Sequence, residues 1–112
     1  AAFPTPNLVT KFGYKTGVVT TSNSLDHCSE DDAIMLEVNA AIKEMEAAAI
    51  AWVAKVNHVP FIALKVVTDI VDGDRPSHEE FLENLAAAGK SLREHLPELV
   101  EFMAGKKFSE LQ

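Results

Sequence analysis

A short and almost continuous apolar run, FIALKVVT at residues 61–68, constrains the fold of this chain more than any other feature. Its β-branched and aromatic side chains are typical of a strand that is covered on both faces, as in a parallel sheet. Pro60 stands immediately before the run and prevents a preceding helix from continuing into it. The run therefore predicts an interior strand.

The segments on either side of this run have the patterns of helices. Residues 46–56 are rich in alanine and contain no Gly or Pro, which predicts a buried helix with Trp52 in the core. After a turn cluster at residues 72–76, a capping box of Ser77 and Glu80 opens a long amphipathic helix. Its apolar face comprises Phe81, Leu82, Leu85, Leu92, Leu96, Leu99, Val100 and Met103. The first five of these are expected to pack on the sheet.

This last helix carries its own signals for a break and an end. Pro97 removes one backbone hydrogen bond, so the helix is predicted to be kinked or split there. Gly105 is placed to end it, and Lys106 and Lys107 complement the helix dipole at that point.

The upstream part of the chain is predicted to hold one strand and one short helix. VVTT at residues 18–21 is β-branched and is followed by a polar loop, which indicates a strand. Ser29 and Asp32 have the spacing of a capping box at the start of a helix. Residues 38–43 fit neither the helical nor the strand period. Residues 1–7, with two prolines, are predicted to be an extended entry segment.

The order of strand, helix, strand and helix predicts an α/β fold with parallel crossovers. The number of predicted strands is small for the sheet of such a fold. The 112 residues are therefore expected to be part of a larger domain. A net charge of −7 argues against a binder of nucleic acid or of anionic membranes. The most apolar stretches, at 47–54 and 59–67, fall short of the ~20 residues of a membrane span. The lone cysteine, Cys28, favours a reducing, cytoplasmic compartment.

Two carboxylates stand where a parallel sheet binds ligands. Glu46 begins the alanine-rich helix, and Asp69 follows the predicted strand. Ligands bind outside the carboxyl ends of parallel strands, so both side chains are expected to open into one cleft. The alternatives are ordinary: Glu46 as a partner of the helix dipole, and Asp69 as a turn residue. No metal or cofactor site is predicted, because the histidines, Cys28 and the aspartates of the turn cluster lack ligand spacing.

A resemblance to a known family is carried by EMEAAAIAWVAKVNHVPFIALKVVTDIVDGDRP and the following EEFLENL. These stretches closely resemble the C-terminal half of the 5′-methylthioadenosine nucleosidases, particularly the plant-type enzymes, in the nucleoside phosphorylase superfamily. The resemblance is strongest from Ile42 to Leu85 and extends more weakly over nearly the whole chain. Met-Glu, a helix, an apolar strand and Thr-Asp form a specific combination.

The resemblance implies a three-layer α/β/α fold, in which a mixed sheet is flanked by helices. Residues 1–112 would be the C-terminal half of one domain, and the upstream half, with the glutamate that activates water, is absent. The implied function is hydrolysis of 5′-methylthioadenosine, or of S-adenosylhomocysteine, to adenine and the thio-ribose in methionine salvage. The implied partners are a nucleoside substrate and a second copy in a homodimer, or a chain that supplies the missing half.

The family pattern also implies residue roles. Asp69 would be the general acid that protonates the purine N7 and accepts from the 6-amino group. Glu46 would bind the ribose hydroxyls, and Met45 would pack beneath the sugar. Leu25 and Ser24 would flank the base. An aspartate, in place of the asparagine of 6-oxopurine enzymes, implies adenine as the base.

The sequence departs from the family in its purine-site loop. Thr21-Ser22-Asn23 stands where the family has Thr-Gly-Asp or Ser-Gly-Asp, and no acidic residue precedes Asp26. Two interpretations follow. The chain is a piece of a nucleosidase, as a fragment or one half of a split polypeptide, or it is a non-catalytic nucleoside-binding or storage-type relative.

Overall fold

The computed structural model describes residues 2–112, which form α-helices, one short 3₁₀ turn and one parallel strand pair. The elements in chain order are α1 (Pro6–Phe12), β1 (Val18–Thr21), α2 (Ser29–Glu37), β2 (Ala40–Glu44), α3 (Ala47–Val56), α4 (Ser77–Met103) and a 3₁₀ turn (Phe108–Glu110). The predicted α/β class is confirmed, as are the positions of β1, α2, α3 and α4.

These elements fall into two compact units along the chain. The first comprises Gly13–Ala63 with residues 2–4 and contains β1, α2, β2 and α3. The second comprises Leu64–Gln112 with Thr5–Phe12 and contains α1, α4 and the 3₁₀ turn.

The sheet of the first unit consists of β1 and β2, which run parallel with α2 between them in sequence. The register shifts between Val18 and Val19, which is a bulge near the start of the ladder. Beyond the bulge the pairing is regular, and it ends with Thr21 opposite Glu44. The sequence of residues 38–43 fitted neither the helical nor the strand period. Most of β2 nevertheless lies within it, because its backbone hydrogen-bonds to β1.

The interior strand predicted at residues 61–68 is wrong, because the structure has neither strand nor helix there. Among residues 2–112 the sheet contains only β1 and β2, and the run forms a ladder with neither of them. Nor is it covered on both faces, since none of its residues is buried and Val67 is 60% exposed. Apolar composition alone therefore does not make this segment a strand.

The predicted capping box at the start of α2 is also wrong. Ser29 is the first helical residue, and Cys28 before it makes no side-chain capping bond. The carboxylate of Asp32 lies 2.7 Å from Nε2 of His27 and serves that contact instead.

The capping box predicted for α4 fails for the same reason. Ser77 is the first helical residue, and Pro76 before it supplies no side-chain cap. Oε2 of Glu80 accepts a 3.0 Å hydrogen bond from the backbone N–H of Ile70, in the turn that precedes the helix.

At the far end of α4 the predicted stop is confirmed, and one of the two predicted effects of Pro97 is excluded. The helix runs through Pro97 to Met103 as one element, so the split alternative is excluded. Gly105 has a φ of 75°, the left-handed conformation that ends helices, as predicted. Nζ of Lys106 donates to the carbonyl of Phe102 in the last turn, which supports the predicted complement to the helix dipole.

The extended entry segment predicted for residues 1–7, of which residue 1 lies outside the described residues, is corrected at its end by α1. Pro6 occupies the first helical position, where its missing N–H costs no hydrogen bond. Asn7 ties this helix to the C-terminal residues: its backbone N–H donates to the carbonyl of Leu111 at 3.3 Å. The rings of Phe12 and Phe102 meet edge to face, with centroids 5.6 Å apart. Contacts distant in sequence thus stabilise a helix that local pattern does not reveal.

The buried apolar side chains are few, and much of the predicted core is exposed. Within the described part of the chain they are Leu8, Ala47, Leu99 and Leu111. Trp52, predicted to be in the core, is 65% exposed, and Leu85 on the apolar face of α4 is 48% exposed. The predictions of a buried α3 and of a packed α4 face are therefore wrong for most of their residues, and only Ala47 and Leu99 of these helices are buried. Among the helices of these residues, none is at once long and apolar enough to cross a bilayer.

Gly17, beside the bulge, lies close to Ala41, and alanine is therefore predicted to change stability in opposite directions at Gly17 and at Gly89. A Cβ at Gly17 would lie 2.5 Å from Cβ of Ala41, whereas a Cβ at Gly89 in α4 would lie no closer than 3.5 Å to Arg93. Gly17→Ala should therefore destabilise the protein by about 1–3 kcal/mol. Gly89→Ala should stabilise it, by up to about 1 kcal/mol, because alanine favours the helix. Thermal denaturation of both variants measures the difference, and a stabilising Gly17→Ala would contradict the packing.

Candidate active site

The carboxyl ends of β1 and β2 lie at one edge of the sheet and hold four of the residues singled out from the sequence. Since the strands are parallel, the loop after β1 and the turn after β2 leave from that same edge. Ser24 and Leu25 lie in the loop, and Met45 and Glu46 lie in the turn before α3. The prediction that Glu46 stands at the start of the alanine-rich helix is confirmed.

Two side chains from the strand ends hold the start of α3. Oε2 of Glu44 accepts hydrogen bonds from the backbone N–H groups of Glu46 at 2.9 Å and Ala47 at 2.7 Å. The hydroxyl of Thr21 donates to Oε1 of Glu44 and accepts from the N–H of Ala48 at 3.0 Å. These bonds satisfy N–H groups that the first turn of a helix leaves without partners.

Sequence reasoning missed this role of Glu44 and Thr21. It weighed Glu46 as the residue that complements the helix dipole, but the carboxylate bonded to the helix N-terminus belongs to Glu44. The available signal was a glutamate just before the Met-Glu pair, within reach of the first helical N–H groups. The side chain of Glu46 is left exposed, with one bond of 3.3 Å from the backbone N–H of Met45.

The loop after β1 is shaped by its own serines. The hydroxyl oxygen of Ser22 accepts from the N–H of Ser24, and that of Ser24 accepts from the N–H of Asp26, each at 3.1 Å. These local bonds are typical of turns. Leu25, which lies between these bonds, is 87% exposed.

A cleft of about 130 Å³ opens beside this loop, and it is lined by Thr20, Thr21, Ser22, Asp31, Ile34, Met35 and Lys43. Nζ of Lys43 lies 2.9 Å from Oδ2 of Asp31 across it. The hydrogen bond from Lys43 holds the pKa of the Asp31 carboxyl below its usual value. Sequence reasoning gave no role to this ion pair, because residues twelve positions apart carry no local signal.

Asp69 belongs to the second unit, where polar bonds fix its surroundings. Asp69 was predicted to follow a strand, and this is wrong because residues 61–68 form no strand. The carbonyl of Thr68 accepts a 2.8 Å hydrogen bond from Nδ2 of Asn84 in α4. The hydroxyl of Thr68 donates to Oδ1 of Asp69 at 2.6 Å. The half-buried carboxyl group thus sits on a segment tied to α4, and the cleft it is expected to share with Glu46 stays a prediction.

The cap on α3 predicts a measurable loss of stability. Thr21→Val keeps the shape of the side chain but removes both hydrogen bonds of the hydroxyl, so unfolding should become easier by about 1 kcal/mol. Thr16→Val, at an exposed position before β1, is the matched control and should change stability little. Equal denaturation midpoints for the two variants would show that the cap contributes nothing.

Comparisons with known proteins place these features in a family. The sequence pattern of the Phosphorylase superfamily matches residues 9–101. A 5′-methylthioadenosine/S-adenosylhomocysteine nucleosidase of Arabidopsis thaliana is 47% identical over 97% of this chain and 43% of its own length. A 5′-methylthioadenosine nucleosidase of the same plant is 40% identical over 98% of this chain and 41% of its own length.

Solved structures agree with the sequence comparisons. A crystal structure of an MTA/SAH nucleosidase matches 98% of this chain and 45% of its own, with a TM-score of 0.94 at 46% identity. The Arabidopsis thaliana 5′-methylthioadenosine nucleosidase in its apo form matches with the same coverage and TM-score at 40% identity. The chain thus spans less than half the length of these relatives, and the resemblance inferred from its motifs is confirmed. With a match that takes in β1, the Met-Glu turn and most of α4, the chain belongs to the phosphorylase superfamily.

Proposed function

We propose that this chain forms the C-terminal half of a purine nucleosidase that hydrolyses 5′-methylthioadenosine to adenine and the thio-ribose. The observation that carries the proposal is the Met45-Glu46 turn, which lies at the same sheet edge as the Ser24-Leu25 loop. Relatives that are 47% and 40% identical over nearly the whole chain are nucleosidases of this kind, which supports the assignment.

The turn before α3 suits the sugar of a nucleoside. The exposed carboxylate of Glu46 has acceptor positions for two ribose hydroxyls, and the cap formed by Glu44 and Thr21 fixes its backbone. The half-exposed Met45 offers an apolar surface for the sugar ring. A rigid turn that carries an exposed carboxylate favours the sugar-binding role over a purely structural one.

Asp69 supplies the acid in the proposed reaction. Cleavage of the N-glycosidic bond passes through an oxocarbenium-like state, and adenine leaves poorly as an anion. A proton donated to N7 makes the leaving base neutral, and a positioned acid contributes about 10²–10⁴-fold in rate. The attacking water then adds to C1′, and its proton goes to a carboxylate that we place in the upstream half of the enzyme.

The finer features of this function follow the same proposal. The active enzyme would be a cytoplasmic homodimer that acts in methionine salvage and also accepts S-adenosylhomocysteine. A chain that supplies the upstream half in trans is the alternative partner.

A non-catalytic nucleoside-binding or storage-type protein is the second candidate. Its support is the Ser22-Asn23 sequence, which replaces the Gly-Asp of the family's purine loop. In this structure the N–H of Ser22 donates to the carbonyl of Glu44 at 2.8 Å, so the altered loop is still joined to β2. That attachment favours a working base site.

The experiment is to incubate the full-length protein with 5′-methylthioadenosine and to quantify adenine by chromatography. S-adenosylhomocysteine serves as the second substrate and inosine as the control, because a 6-oxopurine offers no amino group to Asp69. We expect adenine from the first two nucleosides and no release of hypoxanthine from inosine. Binding of 5′-methylthioadenosine without release of adenine would favour the non-catalytic relative.

A further inference from the structure

The side chain of Lys43 connects three parts of the first unit. It extends from β2, and only 11% of it is exposed. Its ammonium group donates to Oδ2 of Asp31, in the first turn of α2, at 2.9 Å. It also donates to the backbone carbonyl of Asp26, in the loop after β1, at 3.2 Å. One lysine therefore joins strand, loop and helix.

The carbonyl that Lys43 holds is next to the residues proposed to flank the base. Leu25 immediately precedes Asp26, and Ser24 bonds to the N–H of Asp26. The other hydrogen bonds of Ser24 and Asp26 in this loop span two residues and shape it locally. The bond from Lys43 spans 17 residues, so it fixes the loop with respect to the sheet.

Lys43 also supplies a positive charge beside the acidic first turn of α2. Glu30, Asp31 and Asp32 crowd the first turn of the helix, and Lys43 brings a positive charge to them from β2. The hydroxyl of Ser22 adds a longer bond of 3.4 Å to the same oxygen of Asp31. Hydrogen bonds that involve charged groups are stronger than neutral ones, and a part-buried pair is less screened by solvent than an exposed one.

We propose that Lys43 is a positioning residue for base binding, which holds the Ser24-Leu25 loop against the sheet edge through the carbonyl of Asp26. This inference rests on the proposed nucleosidase function. It predicts an effect on recognition of adenine, because the chemistry itself is assigned to groups that Lys43 does not touch.

The test compares Lys43→Met with the wild-type full-length enzyme. Methionine keeps most of the length of the side chain and removes the charge and both hydrogen bonds. The KM for 5′-methylthioadenosine and the Kd for adenine, measured by calorimetry, should each rise about tenfold. The kcat of the folded variant should change by less than about threefold. Lys43→Arg, which restores charge and donors, should recover most of the affinity, and Lys90→Met, at a 71% exposed position in α4, should match the wild type.

Each outcome decides the matter. A purely structural role would lower the melting temperature and leave KM and the adenine Kd unchanged within about twofold, which would overturn the inference. If Lys43→Met does not fold, Lys43→Gln replaces it, because it removes the charge and shortens the reach to the carbonyl of Asp26. An unchanged adenine Kd in that variant overturns the inference equally. If the wild-type enzyme releases no adenine, the proposed function itself is lost. If the wild-type enzyme releases adenine and Lys43→Met has an unchanged KM and adenine Kd, only the inference about Lys43 is overturned and the proposed function stands.

Discussion

Replacing Asp69 by asparagine in the full-length enzyme should lower turnover of 5′-methylthioadenosine by about 10²-fold or more, the usual contribution of a general acid. An amide of the same size has no acidic proton to give to N7. Binding should suffer much less, because the amide still hydrogen-bonds the purine edge and accepts from the hydroxyl of Thr68, as the carboxylate does at 2.6 Å. The measurement is kcat for adenine release, with the Kd for adenine determined separately.

Asp72→Asn is the matched control for this variant. Asp72 lies in the exposed turn that follows Asp69, so the same loss of charge occurs three residues away without loss of the proposed acid. We expect a kcat within about twofold of the wild type for the control. Turnover by Asp69→Asn within about threefold of the wild type would remove Asp69 from the mechanism.

A polypeptide of these 112 residues alone should show no hydrolysis at all. The chain spans only 43% of the first relative's length, and the proposed water-activating carboxylate lies outside it. Without that group the attacking water keeps its proton, and protonation of the base by Asp69 is not sufficient. Adenine release is followed by a coupled assay, and intact mass verifies the polypeptide.

Addition of the separately produced upstream half is the control for this second experiment. Turnover that appears only in the mixture would support the division of the site between two halves of one domain. Measurable turnover by the 112-residue chain without a partner would contradict the assignment. It would point to Asp26 or Glu30, the first acidic residues of the chain, as the base.

The elements that the sequence predicted correctly are those that local chemistry determines. The β-branched run of β1 and the alanine-rich α3 lie where they were expected, and Gly105 ends α4 in the left-handed conformation. By contrast, α1 depends on contacts with the C-terminal residues, and β2 depends on pairing with β1. The apolar run at 61–68 shows the converse error, since its composition favours a strand but it pairs with no strand of residues 2–112.

The helix start that carries the candidate residues Met45 and Glu46 was predictable, and the contacts that hold it were not. Met45 and Glu46 were located from a dipeptide at a helix start, and the structure places them there. The bonds from Glu44 and from Lys43 to groups on other elements depend on strand pairing, which spacing in the sequence does not encode. The same holds for burial, because exposure of Trp52 depends on what covers α3 and not on the residue itself.

The cap on α3 also makes the enzyme sensitive to errors of strand alignment. Thr21 and Glu44 are the last paired residues of the ladder, and the bulge at Val18 sets which residues meet there. A shift of one residue would turn the side chains of a strand to the opposite face and separate the hydroxyl from its carboxylate. The first N–H groups of α3 would then lose their acceptors, and the turn with Glu46 would lose its fixed shape. A misaligned molecule would therefore be inactive, and would not simply turn over substrate at a lower rate. The specific activity of a preparation would then measure the fraction of its molecules with correctly paired strands.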